Sequence, residues 1–389
     1  MPPSKEELTK RIKTFSKELA QEGLDAAFII YPLNIFYFSG VFVSGHLLIT
    51  AQGEAVLFVY RTMGREEKSP LCPMEPLKSL KKLPAILEEF GVCSLGLEED
   101  RLPKKLYNRY ESLFKGTLLR DVGEIIKRVR AVKSAYEVSC QKAASKMLAE
   151  ALDAFLPKLK PGLTELEAAG LLELELRKRG HPAHLRVYGF GQEMAYGHLL
   201  SGKSAFYPSF VTTGQGGKGV FGYPQGPSPK KIALNEPILI DYAGWCEAYL
   251  VDQTRLFYFG NLPKEAFEIY EKVKFLLDEL EKCLRPGVLV KNVYKRAHAS
   301  AEELGISDYF MAHGPERVPF VGHGVGLEID EWPPVANLEI ALQENMVIAL
   351  EPKCHVPDLG VIGLEDTYLI TSNGPKRLTN YPRKFVGLS

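Results

Sequence analysis

Pro237-Ile-Leu-Ile-Asp-Tyr-Ala-Gly-Trp-Cys-Glu-Ala-Tyr-Leu-Val-Asp-Gln-Thr-Arg-Leu-Phe-Tyr-Phe259 reads as a β-hairpin that carries a charge problem. An apolar run ends in Asp241, a turn region follows, and a β-branched and aromatic run brings Asp252 back. A hairpin centred near Cys246 and Glu247 sets Asp241 directly opposite Asp252, with Cβ atoms about 5 Å apart on one sheet face. Two bare carboxylates would repel there, so the spacing calls for a shared cation. The pattern recurs downstream. Met346-Val-Ile-Ala-Leu-Glu351 runs into a turn at Pro357-Asp-Leu-Gly360, and Val361-Ile-Gly-Leu-Glu-Asp-Thr-Tyr-Leu-Ile370 returns. Folding about Asp358 places Glu351 opposite Glu365. With His323, set between glycines, these residues make four hard carboxylates and one imidazole. Such a set suits two divalent cations held side by side, which can clamp an attacking oxygen against a polarised carbonyl or phosphoryl group.

The rest of the composition narrows the function. The 389 residues suffice for two domains, and 46% apolar content supports a large core. Lys+Arg and Asp+Glu both total 48, with no long basic run, which argues against a nucleic-acid or membrane-surface partner. The polar start, Met-Pro-Pro-Ser-Lys-Glu-Glu, leads into an amphipathic helix and not a signal peptide, and no apolar stretch reaches the ~18 residues of a membrane span. Six cysteines without paired spacing read as reduced thiols of a cytoplasmic protein.

Periodicity predicts a small α/β domain over residues 1–130, with helices at 5–21, 77–90 and 103–114, strands at 26–31 and 94–97, and a hairpin at 46–60. A charged segment, 124–133, opens a long helix from 134 to 156 and marks the start of a second domain, 131–389. That domain is internally duplicated: Leu159-Lys-Pro-Gly-Leu163 recurs as Leu284-Arg-Pro-Gly-Val288, each between two helices and ahead of a carboxylate-bearing hairpin. Thr164-Glu-Leu-Glu167 is a capping box. A pseudo-twofold pair of helix–helix–hairpin units would converge its carboxylates on one site. The Gly-, Tyr- and Pro-rich segment 181–231 is too long for a plain connection and is expected to form the pocket wall.

Asp241-Tyr-Ala-Gly244, Val251-Asp-Gln-Thr-Arg255, Gly322-His-Gly-Val-Gly-Leu-Glu328, Leu350-Glu-Pro352 and Leu364-Glu-Asp-Thr367 together resemble the successive signatures of the prolidase, aminopeptidase P, creatinase and methionine aminopeptidase superfamily. Asn34-Ile-Phe-Tyr-Phe-Ser-Gly40 is similar to the segment that marks the creatinase-type N-terminal domain, which points to the Xaa-Pro peptidase branch. The resemblance implies an α/β pita-bread fold with a curved antiparallel sheet. It also implies a homodimer and two divalent ions, with manganese, cobalt, zinc and iron all suited to the donors. By the same resemblance Asp241 chelates one ion, Asp252 and Glu365 bridge both, His323 and Glu351 complete the second site, Glu351 is also the general base, and Thr254 supports the ligands from behind.

Three positions depart from the family pattern, and all concern substrate. Asp330 stands where a second histidine is expected, Tyr223-Pro-Gln-Gly226 where a further one is expected, and Gly363 where an arginine lies two residues before the last glutamate. A lost donor to the tetrahedral intermediate costs about 3–4 kcal/mol of transition-state stabilisation. Replacement candidates in the long segment are Gln192, Glu193, Tyr196, His198, Tyr223 and Gln225. His198 is the first choice for a catalytic role, and Asp330 is expected to bind an amine or act as a base. The expected activity is hydrolysis of short peptides. A metal-dependent lyase or small-molecule hydrolase using Asp330 is the alternative, and an inert peptide-binding module comes last.

Overall fold

The computed structural model describes residues 2–61 and 68–389. It divides into two compact units, Met1–Arg130 and Ala131–Ser389. The first unit opens with α1 (Lys5–Gln21), started by Ser4, whose hydroxyl accepts the N–H of Glu7. Leu8, Ile12, Phe15 and Leu19 recur at helical spacing and are buried on one face. There follow β1 (Ala26–Ile29), α2 (Pro32–Ser39), β2 (Ser44–Thr50), β3 (Ala55–Arg61), β4 (Met74–Pro76), α3 (Leu83–Glu89), β5 (Ser94–Leu97), α4 (Lys104–Leu113), β6 (Leu118–Asp121) and α5 (Gly123–Ala131). The strands form one mixed sheet in the order β4-β3-β2-β1-β5-β6. Two expectations shift. The helix over 77–90 is shorter, because Ser79 caps a single 3-10 turn and Pro84 lies in the first turn of α3. Segment 124–133 falls mostly in a separate helix, α5, because Ser134 and Glu137 form a reciprocal cap that starts the next helix afresh.

The second unit contains α6 (Ala135–Phe155), α7 (Glu165–Lys178), β7 (Gly197–Ser201), β8 (Pro237–Cys246), β9 (Tyr249–Phe259), α8 (Lys264–Cys283) and α9 (Val290–Glu303). Then come β10 (Gly322–Gly324), β11 (Val347–Leu350), β12 (Lys353–Val356), β13 (Gly360–Gly363), β14 (Asp366–Leu369), β15 (Lys376–Arg377) and β16 (Phe385–Leu388). Its duplication is visible bond by bond. Gly162 N–H donates to Ile232 O and Gly287 N–H to Leu342 O, and the return bonds run from Ile232 to Leu163 and from Leu342 to Val288, all at 2.8 Å. Asn235 and Asn345 both adopt positive φ, 64° and 68°, and donate to Phe259 O and Ile370 O. Helices α6 and α7 cover β7–β9 through Leu148, Leu152, Leu172, Ile238 and Phe257. Helices α8 and α9 cover the second strand set through Val273, Leu277, Val293, Ile348 and Ile362.

The two hairpins differ in register. In β8–β9 the turn is made by Glu247 and Ala248, both at positive φ (48° and 75°), so Cys246 pairs with Tyr249. The expected centre is therefore one residue too early. Asp241 pairs with Thr254 and Asp252 with Ala243, which makes the two aspartates diagonal neighbours on one face. A two-residue turn with both φ positive matches strand twist, and here two non-glycine residues adopt it. The second hairpin has the expected register: Leu350 pairs with Asp366 and Lys353 with Gly363, which sets Glu351 across from Glu365 between the two ladders.

Candidate metal centre

Aligning the hairpins on Asn235 and Asn345 gives each four inward positions. The first supplies Asp241, Ala243, Asp252 and Thr254, and the second supplies Glu351, Lys353, Gly363 and Glu365. The hairpins meet where Thr254 and Glu365 form a bridge, and Thr254 Oγ1 donates to Glu365 Oε2 at 2.8 Å. His323 enters from β10, paired with Ala349. Its Nδ1 faces Gly324 O at 3.1 Å, leaving Nε2 toward the carboxylates. That nitrogen lies 3.5 Å from Glu351 Oε1, 3.8 Å from Glu365 Oε1 and 4.0 Å from Asp252 Oδ2.

One residue outside the expected set changes the chemistry. Lys353 is fully buried, and its Nζ lies 2.6 Å from Glu351 Oε2, 3.1 Å from Asp241 Oδ2 and 3.3 Å from Glu365 Oε2. The carboxylate oxygens thus divide between two positions, one facing His323 and the other holding an ammonium. Burial works against charge on Lys353, but Asp241, Glu351 and Glu365 outweigh it and keep the lysine protonated well above its ordinary range. Burial likewise opposes ionisation of Asp241, but Lys353, His198 and Gln215 together hold its carboxyl below the ordinary value. Asp252 and Glu365 shift the other way. Burial, reinforced by neighbouring carboxylates, pushes both well above the usual carboxylate range.

Asp252, His323 and Glu365 offer donor atoms within 4.8 Å of one another, and Glu365 Oε1 is a buried acceptor with no hydrogen-bond donor. An orphaned carboxylate oxygen beside an imidazole nitrogen is what a divalent ion satisfies. The donors therefore fit a cation on the His323 side. On the other side the Lys353 ammonium already stands among Asp241, Glu351 and Glu365. Sequence spacing held a signal for this: Lys353 sits two residues after Glu351, hence on the same strand face. Gly363 is its cross-strand partner, and a Cβ on Gly363 would collide with Lys353 Cγ. The glycine that replaces the family arginine makes room for the lysine.

A pocket of about 570 Å³ opens onto Asp241, Asp252, His323, Glu351 and Glu365. Its wall comes from the long segment, at Leu185, Val187, 192–194, 196–198 and 211–215, together with Ile329 and Asp330. Gly214 crosses so close to Glu351 that an added Cβ would meet Glu351 Oε2. His198 pairs with Asp241 in the β7–β8 ladder, and burial lowers its pKa to about 4. Its ring nitrogens face Gln215 Nε2 at 3.2 Å and Gln225 Nε2 at 2.9 Å, and Gln215 also donates to Asp241. His198 is thus a neutral strut behind Asp241, and Gln215, absent from the expected set, is the link between them. Asp330 lines the pocket, but its oxygens accept the N–H groups of Tyr188 (2.6 Å) and Gly189 (3.3 Å). Tyr196 lines the pocket and stacks on His181. Tyr223 donates to Glu193 O, and Gln225 accepts from Phe210 N, so both brace the wall. Gln192 and Glu193 reach the pocket, and Gln192 Nε2 donates to Thr212.

Residues 139–372 match metallopeptidase family M24, and residues 11–132 match the creatinase/prolidase N-terminal domain. The chain belongs to metallopeptidase family M24. It is similar to the Xaa-Pro dipeptidase of Pyrococcus furiosus, at 27% identity over 387 residues, covering 97% of this chain and 100% of that one. An uncharacterised peptidase of Staphylococcus epidermidis is 30% identical over 393 residues, covering 96% and 99%. Among solved structures, the prolidase from Pyrococcus horikoshii superposes with a TM-score of 0.80 at 27% identity over 97% of this chain and 99% of that chain. The Xaa-Pro dipeptidase from Bacillus anthracis, at 20% identity and TM-score 0.83 over 98% and 100%, shares the fold. The expected combination of a creatinase-type N-terminal domain and a pita-bread catalytic domain is therefore correct, and the enzyme class is metallopeptidase.

Proposed function

We propose that the protein is a metal-dependent exopeptidase for short peptides, with Xaa-Pro dipeptides the first substrates to consider. The observation that carries this reading is the pocket floor, where Asp252, Glu365 and the free face of His323 converge beside Glu351. Asp252, His323 and Glu365 would hold the ion, with Glu351 Oε1 beside it. When bound, it would polarise a carbonyl and acidify water. Glu351 is suited to general base: Lys353 anchors Oε2, leaving Oε1 on the His323 side to accept the proton of an attacking water. Thr254 and Lys353 hold Glu365 from behind. Gln215, braced by His198, orients Asp241. Glu193 and Asp330 are the acidic groups on the wall and suit a substrate amine.

The lyase or small-molecule hydrolase reading requires Asp330 as a base. Two backbone N–H groups on its carboxylate favour a loop-anchoring role instead. Six free cysteines suit a reducing compartment, which supports the cytoplasm, and no helix among the described residues is long and apolar enough to cross a membrane. The relatives named as Xaa-Pro dipeptidases support the substrate class. The test is a library of Xaa-Pro dipeptides, longer Xaa-Pro peptides and non-proline peptides, offered to manganese-, cobalt- and zinc-loaded protein. Release of N-terminal residues that is lost in Glu351→Gln is the expected result. Absence of cleavage with metal bound would remove the peptidase reading.

A further inference from the structure

We infer that this centre takes one divalent cation per chain, on the His323 side, and that the Lys353 ammonium permanently occupies the second cation position. The inference rests on the metallopeptidase reading and specifies its metal stoichiometry. Nζ of Lys353 is within 3.3 Å of one oxygen each from Asp241, Glu351 and Glu365. Three carboxylates from two hairpins around one point is how this fold would hold an ion. The other oxygens of Glu351 and Glu365 turn to His323, together with Asp252. Glu365 Oε1, on that side, is the oxygen left without a donor, whereas Glu365 Oε2 has Thr254 and Lys353. The two positions are therefore unequal: one is satisfied by the chain and one awaits a cation.

The lysine is built in. Its stem runs past Gly363, where any side chain would strike it, and its ammonium does not line the pocket. The equivalent position of the first hairpin is Ala243, which is too short to reach the cluster, and the equivalent of Asp252 is Gly363. The second hairpin has thus exchanged a carboxylate position for space and filled it with a cation of its own. With all four carboxylates ionised, Lys353 and one divalent ion leave the same net charge as two divalent ions sharing a hydroxide. A second divalent ion would have to expel a buried, triply paired ammonium.

The experiment uses full-length protein loaded with excess manganese and desalted. Metal content is measured by plasma mass spectrometry, and the ion is located by anomalous scattering in a crystal. One ion per chain is expected, with its peak among Asp252, His323 and Glu365. Two ions in the wild type, or a peak at the point where Nζ stands, would overturn the inference while leaving a metallopeptidase. One ion without peptide cleavage would leave the inference standing and remove the peptidase reading instead. No bound ion would overturn both. In Lys353→Met, whose side chain matches the stem without the charge, a second manganese is expected to bind. A folded Lys353→Met still limited to one ion would show that the lysine is not standing in for a cation. Should that variant fail to fold, wild-type stoichiometry and the anomalous peak decide alone.

Discussion

The two carboxylate-bearing hairpins of the catalytic unit are copies of one motif that solve the same electrostatic problem differently. The first, β8–β9, brings Asp241 and Asp252 to one face as diagonal neighbours and adds Ala243 and Thr254. The second sets Glu351 across from Glu365 and adds Lys353 and Gly363. The first hairpin depends on an outside cation for charge balance, while the second carries part of its own. The difference explains the uneven charge states. Asp241, reached by Lys353, is held below its ordinary range, although Asp252 on the same hairpin is pushed well above it by burial and by Asp241. A duplicated scaffold can therefore keep its order of elements while three of its four inward positions diverge.

The comparison can be broken at several points. The largest effect is expected at Glu351, whose Oε2 is held by Lys353 while Oε1 faces His323. Glu351→Gln should lower the turnover of a cleaved peptide by about 10²–10⁴-fold at unchanged fold, and a loss under tenfold would remove it as base. Beneath both hairpins, Arg255 ties the first to the second, donating to Thr254 O, Glu365 O and the Asp366 carboxylate while buried. Arg255→Met should cost about 3–5 kcal/mol in urea unfolding, because Asp366 loses a buried partner. A smaller loss would mean that Arg383, which also pairs with Asp366, suffices.

Acid should weaken both hairpins in one pH window. His198 beside the first and His355 within the second are each pushed down to about 4 by burial. Their folded pKa lies below the unfolded value of about 6.5, so they stay neutral when folded while the unfolded chain takes up protons. The stability they contribute is full above about pH 6.5 and is lost as pH falls toward 4, roughly 2 kcal/mol for each by pH 5. Urea midpoints from pH 7 to 4.5 should fall accordingly. His355→Gln, which can still face Gly214 O, should flatten the slope, and an unchanged slope would exonerate His355. The smallest effect belongs to the turn that set the first register. Ala248 holds φ at 75°, and Ala248→Gly should raise stability by about 0.5 kcal/mol, as relief of left-handed strain slightly exceeds the entropy lost. A destabilised variant would mean that the methyl packing outweighs the strain.

The carboxylates, the histidine and the duplicated Pro-Gly turns were legible because each depends on local pattern: strand period, turn residues and spacing. The expectation of a pocket wall in the long segment held for the same kind of reason, since a stretch of that length must do more than connect. The register of β8–β9 was not legible, because Glu247 and Ala248 are not residues that announce positive φ. His198 and Asp330 drew attention as chemical types, but what occupies their polar atoms was set by Gln215, Gln225 and the backbone of 188–189, which are remote or ambiguous in sequence. By itself the sequence determined the family, the paired hairpins and which side chains face inward, since alternation along a strand is a local property. Only the tertiary structure decided that Lys353 lies among the carboxylates. Whether a lysine points to water or replaces an ion depends on the space opposite it. That space exists because Gly363, ten residues away, has no side chain to fill it.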